Sequence, residues 1–281
     1  MSNFVNYNAE IIRDNGKIIP VNNRSFRYGD GIFESIRIAN GKIINVENHY
    51  KRLIKSASIL KIKLSQEFSQ KYFCKQILDL TEKNNQQNAA RVRFSLFRNN
   101  DGFYKPLSDK ALFLIESMPL ENSRFELNEN GINLGIYREI YKNYNLISSL
   151  KTCNALIYVL ASVYALNNDF DDCLLLNQDN NILEATSSNI FLVNGKSIHT
   201  CRIEDGCVDG TMRNVIIELA EKAGFNMNVR TIQFSELNDA DEIFLTNAIT
   251  GINWVKNCNR NQYDNSVSSF LLKKLNDKLL P

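Results

Sequence analysis

Lys151 lies in Ser148-Ser149-Leu150-Lys151-Thr152-Cys153-Asn154, between a polar, tyrosine-rich loop and the start of an apolar helix. A lysine amine attacks a carbonyl carbon only when part of it is neutral, and a solvated lysine titrates near pH ~10. Lys151 is thus a candidate for covalent chemistry only if other residues support it. The chain has only two histidines, His49 and His199. Neither a multi-histidine metal site nor a Ser-His-Asp triad is expected, and no metal ligand is assigned.

Four further stretches combine groups that could act with such a lysine. Arg27-Tyr28-Gly29-Asp30-Gly31-Ile32-Phe33-Glu34-Ser35-Ile36-Arg37 reads equally as a glycine turn entering a strand. In His49-Tyr50-Lys51-Arg52-Leu53, Arg52 is either a surface helix charge or an anion ligand. Leu183-Glu184-Ala185-Thr186-Ser187-Ser188-Asn189 sets a carboxylate, three hydroxyls and an amide before an apolar strand. Such small polar groups suit a pocket whose ligand is held by several hydrogen bonds, although a hydroxyl-rich strand start has the same composition. Val208-Asp209-Gly210-Thr211-Met212-Arg213-Asn214 opens a helix with glycine, which lets backbone N–H groups approach a phosphate or merely caps the helix.

The elements that position these residues follow from periodicity. Residues 32–38 alternate as a strand with one buried face, Asn40-Gly41 makes a tight hairpin turn, and 43–46 return. Helices are expected over 47–60 and 65–83, and strands over 91–98 and 111–118. Residues 1–118 thus read as an α+β domain, 119–130 as a turn-rich linker and 131–281 as a second domain. In the second domain a strand at 131–138 leads to Lys151, and a helix over 152–167 carries Leu156, Val159, Leu160, Val163 and Leu166 at helical spacing. Short strands at 172–177, 182–184, 189–193 and 196–199 precede a helix at 212–224, strands near 226–232 and 242–246, and a helix at 265–279. Together they imply a larger mixed-sheet or barrel-like domain, an α+β (α/β) architecture in two lobes.

The 33 basic and 31 acidic residues are mixed along the chain, so nothing in the charge pattern calls for nucleic acid or a membrane surface. No apolar signal core or run of about 20 apolar residues is present. Six cysteines without a CxxC pair read as reduced thiols, and a cytoplasmic location is expected.

Taken in order from Asn22 to Val255, the motifs Y-G-D-G-I-F-E-S-I-R, H-Y-K-R-L, K-T-C-N, E-A-T-S-S-N-I-F-L-V, G-T-M-R-N-V-I-I-E-L-A and A-D-E-I-F-L-T-N-A carry a resemblance. The chain resembles the class IV aminotransferases, fold type IV enzymes that use pyridoxal phosphate. They include branched-chain and D-amino-acid aminotransferases and 4-amino-4-deoxychorismate lyases. The resemblance implies that Lys151 forms an imine with the cofactor aldehyde and then moves a proton between Cα and C4′. It implies that Glu184 faces the pyridine nitrogen, and that Arg52 holds the phosphate with the backbone N–H groups of Thr211 and Met212. Ser187 and the Thr246-Asn247-Ala248 turn would complete the cofactor pocket, with Tyr28, Phe33, Ser35 and Arg98 on the substrate side. The resemblance also implies a homodimer.

Several positions depart from the family pattern. K-T-C-N-A lacks the glycine and the tyrosine of branched-chain enzymes, and Phe97-Arg98-Asn99-Asn100-Asp101-Gly102 lacks the R-x-H pair of D-specific ones. Met212 replaces a common threonine, removing a side-chain phosphate bond of about 1 kcal/mol. Ala248 stands where a hydroxyl is common, with Asn247 as a substitute donor. Ser35 stands where lyases often have threonine. The expected activity is transfer of an amino group between an amino acid of branched-chain type and a 2-oxo acid. The alternatives are a lyase releasing 4-aminobenzoate and pyruvate, and a binder of the cofactor without turnover.

Overall fold

The computed structural model describes residues 4–99 and 101–280, so residues 1–3, 100 and 281, which the expected domain spans and the loop after the 91–98 strand include, lie outside the described part. The chain divides into two compact units, Met1–Arg124 with Leu150–Asn154, and Phe125–Ser149 with Ala155–Pro281. The division falls inside the stretch expected to be a linker. The segment carrying Lys151 is grouped with the first unit, whereas the sequence put it in the second.

The first unit contains β1 (Phe4–Tyr7), β2 (Glu10–Arg13), α1 (Arg24–Tyr28), β3 (Gly31–Ala39), β4 (Lys42–Ile43), α2 (Val46–Ile59), α3 (Gln70–Lys83), β5 (Ala89–Arg98) and β6 (Ala111–Pro119). Its strands form one antiparallel sheet in the order β2-β1-β6-β5-β3-β4. Asn40 and Gly41 both have positive φ, 49° and 73°, which suits a two-residue hairpin turn. The apolar faces of α2 (Leu53, Ala57) and α3 (Phe73, Ile77, Leu80) pack with Ile32, Ile36, Phe94 and Phe113 of the sheet into one core. The second helix starts at residue 70 rather than 65, because the Ser69 hydroxyl accepts from the Tyr72 N–H (3.2 Å) and caps it there.

The second unit contains β7 (Ile132–Tyr137), α4 (Leu156–Asn167), β8 (Asp172–Leu176), β9 (Asn181–Ala185), β10 (Asn189–Asn194), β11 (Ser197–Thr200), α5 (Thr211–Lys222), β12 (Asn226–Val229), β13 (Ile232–Gln233), β14 (Glu242–Asn247), β15 (Gly251–Cys258), β16 (Asn261–Gln262) and α6 (Ser266–Leu279). Strands β10, β14, β15, β7, β8 and β9 are hydrogen-bonded in that order. A pairing of Asn189 with Glu184 joins β9 back to β10, closing a barrel-like ring. Its interior is apolar, with Leu174, Leu176, Ile182, Ile190, Leu192, Ile243, Leu245 and Val255 all buried.

The helix expected over 152–167 begins at Leu156, because residues 151–153 extend alongside β3 instead. Its apolar stripe also faces the other way from a simple amphipathic reading. Ala161 and Ala165 pack inward with Tyr137, Cys173 and Leu175, while Leu156, Val159, Leu160, Val163 and Leu166 are exposed.

Candidate active site

Lys151 is held by backbone pairing. The Phe33 N–H donates to the Lys151 carbonyl (2.9 Å) and the Cys153 N–H to the Gly31 carbonyl (2.9 Å), with Ile32 and Thr152 bridged antiparallel. Asn154 Nδ2 donates to the Gly29 carbonyl (3.0 Å). Gly29 has φ +64°, and a Cβ there would lie 2.5 Å from Asn154 Oδ1, so both backbone and space demand glycine. The Lys151 ammonium then sits 4.6 Å from the centre of the Phe33 ring.

A second cation meets the same ring. Arg93 of β5 places its guanidinium carbon 3.6 Å from the Phe33 centroid, and its Nε donates to Ser95 Oγ (3.1 Å). Burial pulls the Arg93 pKa down from its ordinary value, opposed by Cys153 and Glu116. In the β3–β5 register Phe33 is opposite Ser95 and Ser35 opposite Arg93. Because side chains alternate across a sheet, these four residues share one face.

The opposite face of β3 carries Glu34, which is buried. Arg52 donates to it twice, Nε to Oε1 at 2.8 Å and Nη2 to Oε2 at 2.5 Å, and His49 Nδ1 lies 2.7 Å from Oε2. Burial alone would raise the Glu34 pKa, but Arg52 and His49 together hold it down at about 2. Burial lowers the pKa of His49, with Glu34 opposing and the charges of Arg52 and Lys151 adding to the fall. A neutral His49 is then a donor through Nδ1.

Arg98 and Tyr28 lie elsewhere in this unit. Arg98 donates through Nε to Asp30 (3.0 Å), through Nη1 to the Lys61 carbonyl (3.0 Å) and through Nη2 to the Leu60 carbonyl (2.7 Å). Asp30 also pairs with Arg24 (2.8 Å). Arg98 is therefore tied to the end of α2 and the turn before β3. The half-buried Tyr28 ring lies 5.4 Å from Tyr104, with Arg24 5.2 Å from its centroid.

In the second unit Glu184 is buried on β9 and receives three donors. Lys142 Nζ (2.6 Å) and the Tyr158 hydroxyl (2.8 Å) reach Oε1, and the Val208 N–H (2.9 Å) reaches Oε2. Burial, with Glu184 adding, pushes the Tyr158 hydroxyl far above its usual pKa, so it remains a donor. At the start of α5 the cap residue Gly210 offers no side chain to the first-turn N–H groups, and Thr211 and Met212 are buried. A Cβ at Gly210 would lie 1.8 Å from Asn189 Oδ1, whose amide in turn donates to the Val208 carbonyl (2.9 Å).

Ser187 is exposed on the β9–β10 turn and Ala248 is half-buried. Asn247 uses its side chain locally, donating to Ser188 Oγ (2.9 Å) and accepting from the N–H groups of Ile249 and Thr250 (both 2.9 Å). The neighbouring Thr246 hydroxyl is buried without a hydrogen-bond partner among the described residues. Arg93, Lys142 and Tyr158 were missed in the sequence. Strand alternation from Phe33 and the register of β5 could have found Arg93; nothing local marks the others.

The residues fit a phosphate-bearing pyridine cofactor in three respects. A carboxylate stands ready beside donors, the N-terminus of a 12-residue helix lacks a side-chain cap from its first residue, and a buried hydroxyl on β14 lacks a partner. No group of three or more His, Cys, Asp or Glu among the described residues is placed to hold a metal ion. The sequence pattern of the class IV amino-transferases matches residues 31–258, and the chain belongs to that family of pyridoxal phosphate enzymes. Among its relatives are the aminodeoxychorismate lyase of Vibrio harveyi (24% identical; 83% of this chain, 85% of the relative) and the D-alanine aminotransferase of Staphylococcus haemolyticus (26%; 85% and 83%). The same fold is found in the branched-chain aminotransferase of Thermoproteus uzoniensis, solved with norvaline, at TM-score 0.89 and 20% identity over 100% of this chain and 95% of that one.

Proposed function

We propose that this chain, with pyridoxal phosphate bound, transfers an amino group between an amino acid of branched-chain type and a 2-oxo acid. The observation that carries the reading is the Phe33 ring, with the Lys151 ammonium at 4.6 Å and the Arg93 guanidinium at 3.6 Å. An α-amino acid bears its amine and its carboxylate on one carbon, and an amine-exchanging lysine beside a guanidinium matches that pair. When bound, the cofactor supplies an electron-accepting ring that stabilises negative charge at the substrate Cα. Lys151 attaches the cofactor, and its Nζ takes up and redelivers the Cα proton. Arg93 replaces Arg98 as the carboxylate anchor, and the Phe33 ring lies against both cations with Ser35 on the same face of the sheet.

Glu184 supplies the negative charge for the ring nitrogen. Arg52 and the N–H groups of Thr211 and Met212 hold the phosphate, with the Thr246 hydroxyl taking the part first given to Asn247. Ser187 and Ala248 line the adjoining turns. Tyr28 borders the substrate side.

The family's lyase activity stays as a second reading because Ser35, opposite Arg93 in the strand register, offers a hydroxyl as proton donor for a departing oxygen. Reconstitution with cofactor should give a visible band that borohydride removes, and Lys151→Ala should never show it. The holoprotein given L-leucine and 2-oxoglutarate should then form glutamate. Pyruvate and 4-aminobenzoate from aminodeoxychorismate, without any keto acceptor, would instead establish the lyase.

A homodimer is part of this proposal. The exposed stripe of α4, with Leu156 69% and Leu166 77% exposed, is a continuous apolar face that a second copy would cover. Six free cysteines support residence in the reducing cytoplasm. Among the described residues no helix is long and apolar enough to cross a membrane.

A further inference from the structure

We propose that Lys142 is a positioning residue for Glu184: its ammonium fixes the carboxylate in place and weakens that carboxylate's hold on a proton at the cofactor's ring nitrogen. The proposal rests on the reading of Glu184 given above. Lys142 and Glu184 are both buried, 9% and 3% exposed, and their charged atoms are 2.6 Å apart. Two buried charges at that distance form a net-neutral pair, and each would be costly to bury alone. A ring nitrogen facing Glu184 therefore meets a carboxylate already compensated by an ammonium.

The surroundings leave Lys142 as the charge that matters at Glu184. Tyr158 faces the carboxylate from α4 as a neutral donor, and the Val208 N–H faces it from the loop before α5. The thiols of Cys201 and Cys207 also feel Glu184, but burial pushes both upward, Cys207 to about 12, and both stay neutral. Arg213, beyond them, donates to the Cys201 carbonyl (2.7 Å), and Asp205 pairs with Arg202 (2.7 Å). Three donors on Glu184 occupy three of roughly four acceptor positions of a carboxylate, leaving room for one more N–H.

Lys142 also ties the loop to this carboxylate. Its Nζ donates to the Ser148 carbonyl (2.9 Å), and the next carbonyl, Ser149, accepts from the Asp209 N–H (3.0 Å). One ammonium thus orients both Glu184 and the backbone that runs up to residue 149. An apolar residue of the same length could fill the space but could neither orient nor offset the carboxylate.

The test uses pyridoxamine 5′-phosphate, nitrogen-15 labelled in the ring, bound to the full chain, with the ring-nitrogen shift followed by NMR as pH is varied. In Lys142→Met the ring should keep its proton to a pH about one unit higher than in wild type, a tenfold change in proton affinity, because a nearby cation has been removed. Lys142→Arg should restore the wild-type midpoint. A purely space-filling role would weaken binding without moving the midpoint, and an unchanged midpoint in Lys142→Met would overturn the proposal. Should that variant not fold, Lys142→Gln keeps a donor for the Ser148 carbonyl and is read the same way. Glu184→Gln separates the two levels: its midpoint must fall if Glu184 faces the ring. If it does not move, the reading of Glu184 is wrong; if it falls while the Lys142 variants stay put, only the role of Lys142 is lost.

Discussion

Arg93 and Arg98 lie five positions apart on β5, an odd offset, so the pleat turns them to opposite sides of the sheet. Their variants should therefore fail differently. In the proposed role Arg93→Gln would lose a charged hydrogen bond to substrate of about 1.5–3 kcal/mol, and steady-state kinetics should show KM for the amino donor raised about 10–100-fold with kcat little changed. Arg98→Gln should leave KM alone and lower the melting temperature, since its bonds hold Asp30 and the end of α2. The Glu34 cluster gives a pH dependence of definite sign. Glu34 titrates at about 2 in the folded state against a usual 4.5, so its contribution is complete above pH 4.5 and lost as pH falls toward 2. That contribution is on the order of 3 kcal/mol. His49, with its folded pKa below 6.5, acts in the same direction from a higher starting point, because the unfolded chain takes up its proton first. Urea midpoints measured from pH 7.5 to 3 should fall continuously, and His49→Asn should remove the upper part of that fall while leaving the lower part. The motifs that carry Lys151, Glu184 and Arg52 were legible in the sequence because they stand in one order along the chain. Lys142 was not, since a lysine in a loop carries no mark of a carboxylate forty-two residues away.

At the scale of elements, most strands and helices were visible from periodicity, and the exceptions have physical causes. β1 and β2 are four residues each, too short for alternation to show, and β15 mixes buried and half-buried positions without a clean period. The start of α4 was misjudged because helical spacing continues back through residues whose backbone is instead taken by β3. The start of α5 is the more consequential element. Gly210 has an ordinary φ of −70°, so the objection to a side chain there is steric and comes from Asn189. Gly210→Ala should displace the Asn189 amide from the Val208 carbonyl and cost about 1–3 kcal/mol of stability. Inorganic phosphate, titrated by calorimetry, should bind it more weakly than wild type, whereas Gly195→Ala, at a position with open space around it but positive φ, should affect stability alone.

At the scale of the whole molecule, the exposed α4 stripe is the face that a second copy would cover in the proposed homodimer. Leu160→Glu combined with Val163→Glu adds two charges to an already exposed face, so the chain should still fold by circular dichroism while sedimentation shows a monomer in place of a dimer. The barrel-like sheet was foreseen as a class, but its closure was not, because strand pairing between distant segments leaves no local pattern. That closure rests on the corner where Glu184 pairs with Asn189, the one pair among the described residues at which β9 and β10 meet before running to different neighbours. A ring joined at a single pair is most easily breached at that pair, and any breathing of the corner would swing Glu184 away from its three donors. Amide hydrogen exchange over 184–189 should therefore be faster than in β14 and should slow when cofactor binds, which makes the seam of the barrel a reporter of how firmly the ring is held.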